Sequence, residues 1–324
     1  PDCDKNVLDF LMEYGEKFLG KTSVLAKDTP AFIGNRIGTF GIQSLFHQVK
    51  NGEYTVEEVD KLTGMAIGRP KSATFRTADV VGLDTLCHVA NGIYENCPDD
   101  ESRNVFKLPD FLKKMLDEKM LGSKTKKGFY KKVVGKNGKS KILSLNLKTL
   151  EYNEQKRVNF ETLNAARKVK SRAEKFKVLV SGDDKASHFY REVFAKMFAY
   201  VQHRVPEISD DLHSIDSALR AGFGWKEGPF EIWNYLGVNE GVDLMKSFDF
   251  EPAEWITEMV SNNNNNFYKT NKGLTECYDK NTKSYLKIPG QDGFIILKNS
   301  TDEKVIWSNK EARLIDIGDD ILNL

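Results

Sequence analysis

The chain repeats itself once at long range, and this constrains its fold more than any local pattern. Val59-Asp60 and Ile215-Asp216 stand 156 residues apart, and eight residues beyond each Asp lies a glycine, Gly68 and then Gly224. Phe75, Asp79 and Gly82 share their spacing with Phe230, Asn234 and Gly237, and Arg36 is matched by Arg191 at an offset of 155. Solenoid periods run about 20 to 50 residues, so this is a whole helical domain present twice. Each copy carries apolar helix stripes too wide to leave in water. The two are therefore expected to pack face to face about an approximate two-fold.

The copies are not equal. The second keeps Gly228-Pro229-Phe230, where the first reads Gly68-Arg69-Pro70-Lys71-Ser72-Ala73-Thr74-Phe75. The second has Tyr190 where the first has Asn35. That asymmetry assigns chemistry to the first copy and structure to the second.

The stretch from Lys27 to Arg36 sets up the first copy. Val24, Leu25 and Ala26 read as a short buried strand, part of a strand from Lys21 to Ala26. Thr29 reads as a helix N-cap with Pro30 in the first helical position, where its missing N–H costs nothing. Ile33, Ile37, Phe40, Leu45 and Val49 then recur near helical spacing over 32–50. Before this, residues 4–19 form an amphipathic pattern (Val7, Leu8, Leu11, Met12, Phe18) ended by Gly20. Thr55-Val56-Glu57-Glu58 is a capping box. Further helices are expected at 79–94 and 109–120, and a charged helical segment at 151–177. Val133-Val134, the turn Gly135 to Gly138 and Ile142-Leu143 predict a hairpin with an Asn-Gly turn. Tyr268 to Ile288 predicts a second hairpin turning at Lys280-Asn281. Phe294 to Leu297, Val305 to Trp307 and Ala312 to Ile317 read as strands.

Hydrophobic residues make up 40%, enough for packed cores. Lys+Arg 48 against Asp+Glu 47 argues against a nucleic-acid binder working through a broad basic surface. No apolar run reaches the roughly 20 residues that cross a bilayer. The chain opens on Pro1 rather than a methionine and reads as a trimmed product. Cys3, Cys87, Cys97 and Cys277 have no zinc-site spacing, and the five histidines are scattered. Reduced thiols in a cytoplasmic protein, with no metal, are expected.

Lys27-Asp28-Thr29-Pro30-Ala31-Phe32-Ile33-Gly34-Asn35-Arg36 resembles the segment that joins the two domains of 3-hydroxyacyl-CoA dehydrogenases. Asp79-Val80-Val81-Gly82-Leu83-Asp84-Thr85 and Gly122-Ser123-Lys124-Thr125-Lys126-Lys127-Gly128-Phe129-Tyr130 are similar to marks of that family's helical C-terminal domain. The Gly68–Phe75 stretch departs from the family's Gly-x-Pro-Met-Gly-Pro-Phe by losing the Gly-Pro and gaining one residue. The end of the chain, Arg313 to Leu324, is similar to the opening strands of an enoyl-CoA hydratase (crotonase) domain.

The resemblance implies a mainly α fold: two related helical domains, 6-phosphogluconate dehydrogenase C-terminal-like, packed as a pseudo-dimer with small β-hairpins and a β-rich tail. It implies that 1–27 is the last helix and strand of an NAD-binding domain and 28–132 the first helical domain. Residues 133–180 become a hairpin and helical linker, 181–290 the second helical domain, and 291–324 the start of a crotonase-like domain. The glycine-rich dinucleotide site and the catalytic His–Glu pair then lie upstream of Pro1. The implied reaction is oxidation of a 3-hydroxyacyl-CoA to a 3-oxoacyl-CoA with NAD in the full-length parent, in fatty-acid β-oxidation. No cofactor is expected on this chain, which by itself would be inactive. The implied partner is an acyl-CoA substrate, and homo-oligomerisation is compatible with the family. The alternatives are the helical second domain of another β-hydroxyacid-type dehydrogenase and a non-enzymatic helical interaction module.

Asn35 is the candidate catalytic residue, its amide orienting the substrate oxygen or the catalytic His. The competing reading is a surface Asn bonded to its own backbone. Phe75 and Lys124 are candidate substrate contacts, an acyl-cleft aromatic and a CoA-phosphate cation, against a core ring and a solvated charge. Arg36 recurs as Arg191, so its role is structural, such as an inter-helix ion pair. Gly222-Phe223-Gly224-Trp225-Lys226-Glu227-Gly228 has the wrong spacing for a dinucleotide loop and follows a helix.

Overall fold

The computed structural model describes residues 3–135, 138–291, 297–299 and 304–324. It is mainly α-helical, with small antiparallel sheets. The chain divides into two compact units, Pro1–Ala253 and Glu254–Leu324. The division falls inside the stretch 181–290 that the sequence groups as one helical domain.

In the first unit, α1 (Lys5–Lys17) starts at Asp4, whose carboxylate accepts from the Asn6 N–H at 2.8 Å. Its apolar stripe is present but uncovered: none of its residues is buried, and Val7, Phe10, Leu11 and Tyr14 stand in solvent. The strand expected over 21–26 does not form. A strand needs a ladder partner, and among the described residues none pairs with this segment.

Helix α2 (Gly34–Val49) starts later than the Thr29-Pro30 signal predicts. Ala31 and Phe32 sit at φ 66° and 49°, left-handed conformations that a helix cannot continue. Residues 27–33 instead make tight turns, with Phe32 N–H donating to the Thr29 carbonyl. The capping box forms as read at α3 (Val56–Thr63): Thr55 Oγ1 accepts from Glu58 N–H, and Glu58 Oε2 accepts from Thr55 N–H.

After the left-handed Gly68 the chain enters α4 (Phe75–Val81). Where the usual Gly-Pro is lost, Ala73 takes φ 53°. The Asp60 carboxylate then accepts the N–H groups of Thr74, Phe75 and Arg76 at 2.6–3.0 Å, fixing the start of α4. Helices α5 (Leu83–Asn96) and α6 (Asp110–Asp117) follow. Strands β1 (Tyr130–Val134), β2 (Ser140–Leu145) and β3 (Tyr152–Glu154) form one antiparallel sheet, with Tyr130 opposite Ser144. Lys136 and Asn137 of the expected turn lie outside the described residues. The segment 151–177 is not helical throughout: it opens on β3 and then forms α7 (Glu161–Lys168) and α8 (Arg172–Ser181).

The unit continues with α9 (Lys185–Val201), a short α10 (Arg204–Glu207), α11 (Leu212–Phe223), α12 (Pro229–Leu236) and α13 (Val238–Lys246). Asp216 does for α12 what Asp60 does for α4, accepting the N–H groups of Phe230 and Glu231. Gly224 is left-handed like Gly68, and the Lys226 N–H donates to the Gly68 carbonyl at 2.7 Å, joining the two turns.

The core runs across both helix sets. Phe46, Phe75 and Phe129 pack ring against ring in the first, and Phe198 stacks on Trp233 in the second. Phe40 of α2 stacks flat on Tyr200 of α9 at 3.7 Å. Gly34 and Gly38 leave a groove on α2 for the Phe223 ring, where a Cβ on Gly38 would lie 2.3 Å from a ring carbon. Tyr190 is fully buried and donates its hydroxyl to the Leu62 carbonyl.

The second unit holds α14 (Glu254–Ser261) and two three-stranded antiparallel sheets. The expected hairpin at 268–288 gains a strand: β4 (Tyr268–Asn271), β5 (Leu274–Asp279) and β6 (Ser284–Lys287), with Lys280-Asn281 in the second turn. β7 (Val305–Ser308) and β8 (Arg313–Asp316) fall on the strands expected at 305–307 and 312–317, and β9 (Leu322–Asn323), not read as a separate strand, pairs with β8. Of the strand read at 294–297, residues 294–296 lie outside the described residues. Leu297 opens a short 3-10 turn rather than a strand.

Candidate functional site

The site is the first turn of α2. The left-handed pair Ala31-Phe32 reverses the chain and delivers Gly34 as the first helical residue. Among the described residues no side chain caps this helix end, the Arg36 N–H donating instead to the Ala31 carbonyl, and a helix N-terminus favours a negative oxygen.

Asn35 lies in this turn and is exposed, and no hydrogen bond engages its amide among the described residues. Asn35 is thus an exposed helix-surface side chain that does not fold back on its own backbone. Beside it, Phe223 rests on Gly34 and Gly38 and fixes the wall of this end of α2.

The next residue anchors the turn from below. Arg36 is completely buried. Its Nη2 donates to Asp100 Oδ2 at 2.7 Å and to Glu207 Oε1 at 2.8 Å, its Nε to the Tyr200 hydroxyl at 2.8 Å, and its Nη1 to Cys97 Sγ. Tyr200 in turn donates to Asp100 Oδ2 at 3.0 Å, and Arg204 Nη1 reaches the same oxygen at 3.1 Å. Burial works against the Arg36 charge, but Tyr200, Glu207 and Asp100 outweigh it, and the guanidinium is held above its ordinary value. With Arg36 locked in α2, Asn35 points into solvent from a fixed helix turn. Arg36 thus has the inter-helix ion pair expected of it. Arg191 differs from its counterpart: it donates to the carbonyls of Val180 and Gly182.

The other two candidates are elsewhere. Phe75 is completely buried against Phe46 and Phe129, so in this chain it is a core ring rather than the lining of an open cleft. Lys124 is exposed and paired with Asp84. No hydrogen bond or ring contact joins Asn35, Phe75 and Lys124 among the described residues. Asp100, Tyr200, Arg204 and Glu207 were not read from the sequence. They are scattered between 100 and 207, and only the tertiary fold brings them to Arg36.

A dinucleotide needs a strand, a glycine-rich turn and a helix N-terminus in that order. Of the glycines at 222–228, Gly222 lies in the last turn of α11, Gly224 is its left-handed C-cap and Gly228 precedes α12, so no strand leads into them. They do not fit NAD. No helix is long and apolar enough to cross a membrane, and no group of His, Cys, Asp and Glu suits a metal ion, among the described residues.

Residues 32–132 match the family described as 3-hydroxyacyl-CoA dehydrogenase, C-terminal domain. The chain is similar to a probable 3-hydroxyacyl-CoA dehydrogenase of Bacillus subtilis, with 40% identity over 99% of this chain and 40% of that protein. It is similar to a putative fatty acid oxidation complex trifunctional enzyme of Rickettsia felis, with 28% identity over 74% of this chain and 32% of that one. The chain thus spans 40% or less of the length of these relatives. Among solved structures, 3-hydroxybutyryl-CoA dehydrogenase from Escherichia coli shares the fold: TM-score 0.56 and 15% identity, covering 79% of this chain and 64% of that one. The match opens at Phe32, at the reversal that presents Asn35, and residues 32–132 belong to the 3-hydroxyacyl-CoA dehydrogenase C-terminal domain family.

Proposed function

We propose that this chain is the C-terminal substrate-cleft and assembly region of an NAD-dependent 3-hydroxyacyl-CoA dehydrogenase that oxidises 3-hydroxyacyl-CoA to 3-oxoacyl-CoA in cytoplasmic fatty-acid β-oxidation. In this reading the nicotinamide cofactor and the general base belong to a preceding domain, of which 1–27 is the last part. That domain would cover the apolar stripe of α1 that stands in solvent here. Residues 28–132 and 181–290 are the two helical copies, arranged as a pseudo-dimer about α2, α9 and α11. Residues 133–180 link them, and 291–324 open a crotonase-like domain. The Asp60 and Asp216 devices and the paired glycine turns support the duplication.

The observation that carries the reading is Asn35, exposed and without a partner among the described residues, in a helix turn fixed by the buried Arg36. An amide in that position can donate to a substrate oxygen or accept from the base that removes its proton, which orients the reacting atoms. In the longer protein, Asn35→Ala should lower kcat by roughly 10- to 1000-fold, about 1.4 to 4 kcal/mol of lost transition-state stabilisation. Its melting temperature should barely move. Tyr190→Ala should do the reverse, since that buried hydroxyl holds the Leu62 carbonyl. Normal turnover by Asn35→Ala, assayed with acetoacetyl-CoA, would sink the proposal.

A further inference from the structure

Helix α3 and its C-cap present Glu57, Asp60, Lys61 and Gly64, spaced three and four apart, to a trench whose remaining lining comes largely from 155–175. The trench is two adjoining cavities of about 420 and about 460 Å³, which share Asp60, Lys61 and Arg167. Its cations are Lys61, Lys71, Lys156, Arg157, Arg167 and Lys175. They come from α3, the turn before α4, the segment after β3, α7 and α8. A solvated charge run lies along one helix face, whereas here separate elements converge on one hollow.

These charges are not neutralised by the protein. Among the described residues, none of the six pairs with a carboxylate, and the polar contact of Arg167 is a long one to Asn164 at 3.3 Å. The two acids in the lining are already engaged. Asp60 accepts three backbone N–H groups and the Tyr130 hydroxyl, and Glu57 accepts from Ser144. Like charges held around one concavity repel, and a single polyanion relieves several of those repulsions at once.

We infer that this trench binds an organic polyphosphate. Phosphate oxygens accept from lysine and arginine in any of several geometries, and the Gln155 and Asn159 amides add neutral donors. The second cavity also has an apolar side of Met65, Ala66, Leu163 and Ala166, which suits a ring or an aliphatic arm attached to the phosphates. Coenzyme A thioesters and free nucleotides both have this chemistry. The inference does not rest on the dehydrogenase reading, and failure of the Asn35 experiment leaves it standing.

The test is calorimetric titration of the full chain with coenzyme A, with ADP and with sodium sulfate at fixed ionic strength. Saturable one-to-one binding of coenzyme A or ADP well above sulfate is expected. Tighter coenzyme A identifies a thioester source, and tighter ADP a nucleotide source. The double variant Lys61→Gln/Arg167→Gln should weaken binding at least about tenfold. Lys126→Gln/Lys127→Gln, which removes the same charge outside the trench, should not. All four residues lose a surface charge, and matching melting curves verify the fold. Equal weakening by both variants, or organic phosphates binding no better than sulfate, overturns the site.

Discussion

At the scale of single residues, Asp60 carries more of the structure than its neighbours, since it holds the start of α4. Burial pushes its carboxyl up to about 6, against the pull of Tyr130 and the Phe75, Arg76 and Thr74 N–H groups. Because the folded value lies above the ordinary 3.8, the stability that protonation contributes is full below about pH 4 and is lost as the pH rises through 6. Asp60→Asn removes this dependence. It also turns an amide NH₂ toward donors, at a cost of about 1–3 kcal/mol. The wild type should therefore melt higher than the variant below about pH 4, and that advantage should shrink as the pH rises to 7. Asp79, also pushed up to about 6 by burial, titrates in both proteins and cancels in the difference. Thermal melts across that range decide it; an advantage that grows with pH would mean that the four donors hold the carboxylate ionised throughout. The pairing of Asp60 with Asp216 was legible in the sequence as spacing, but the N–H groups they hold were not.

At the scale of elements, periodicity and caps located α1, α3, α5 and α6, whereas α9 to α14 were not placed by either signal, and the failures have physical causes. The α2 start was misplaced because Ala31 and Phe32 adopt left-handed conformations that their side chains give no reason to expect. The strand at 21–26 was read from apolar residues alone, and pairing is a property of partners. Gly38 shows the opposite case, a helix-interior glycine explained only by the neighbour it admits. Gly38→Ala would gain about 1 kcal/mol of helix propensity. The new Cβ would meet Phe223 ring atoms at 2.3–2.9 Å, and overpacking costs about 1–3 kcal/mol. Net destabilisation is expected in denaturant melts, relieved by adding Phe223→Leu; stabilisation would show that α2 and α11 do not approach this closely. Helix α1, with no buried residue, makes a different prediction. Its amides should exchange with deuterium orders of magnitude faster than those of α9, most of whose residues are buried. Equal protection in this chain would mean that α1 is covered in solution by a second copy.

At the scale of the whole molecule, residues of the two helix sets are tied together in the first unit by charge as well as by rings. Arg36 and Arg204 both converge on Asp100 Oδ2, and the Arg36 and Asp100 side chains are fully buried. Nothing in the sequence marks Asp100 as the centre, since its partners lie 64 residues before it and about 100 after. Such clusters are poor sources of net stability, because desolvation offsets the attraction. Removing one member is another matter. Asp100→Ala leaves two guanidinium groups facing each other with only the half-exposed Glu207 and Glu101 to balance them. A loss of about 3–5 kcal/mol is expected, enough to separate the melting of the two helix sets. Arg36→Met in that background removes one stranded charge and keeps the packing volume, so the double variant should recover a substantial part of the loss. Calorimetry on the wild type, the two single variants and the double variant gives the coupling directly. Strictly additive losses would show that Asp100 acts on each arginine separately and that the cluster is not what holds α2 against the 200–207 segment.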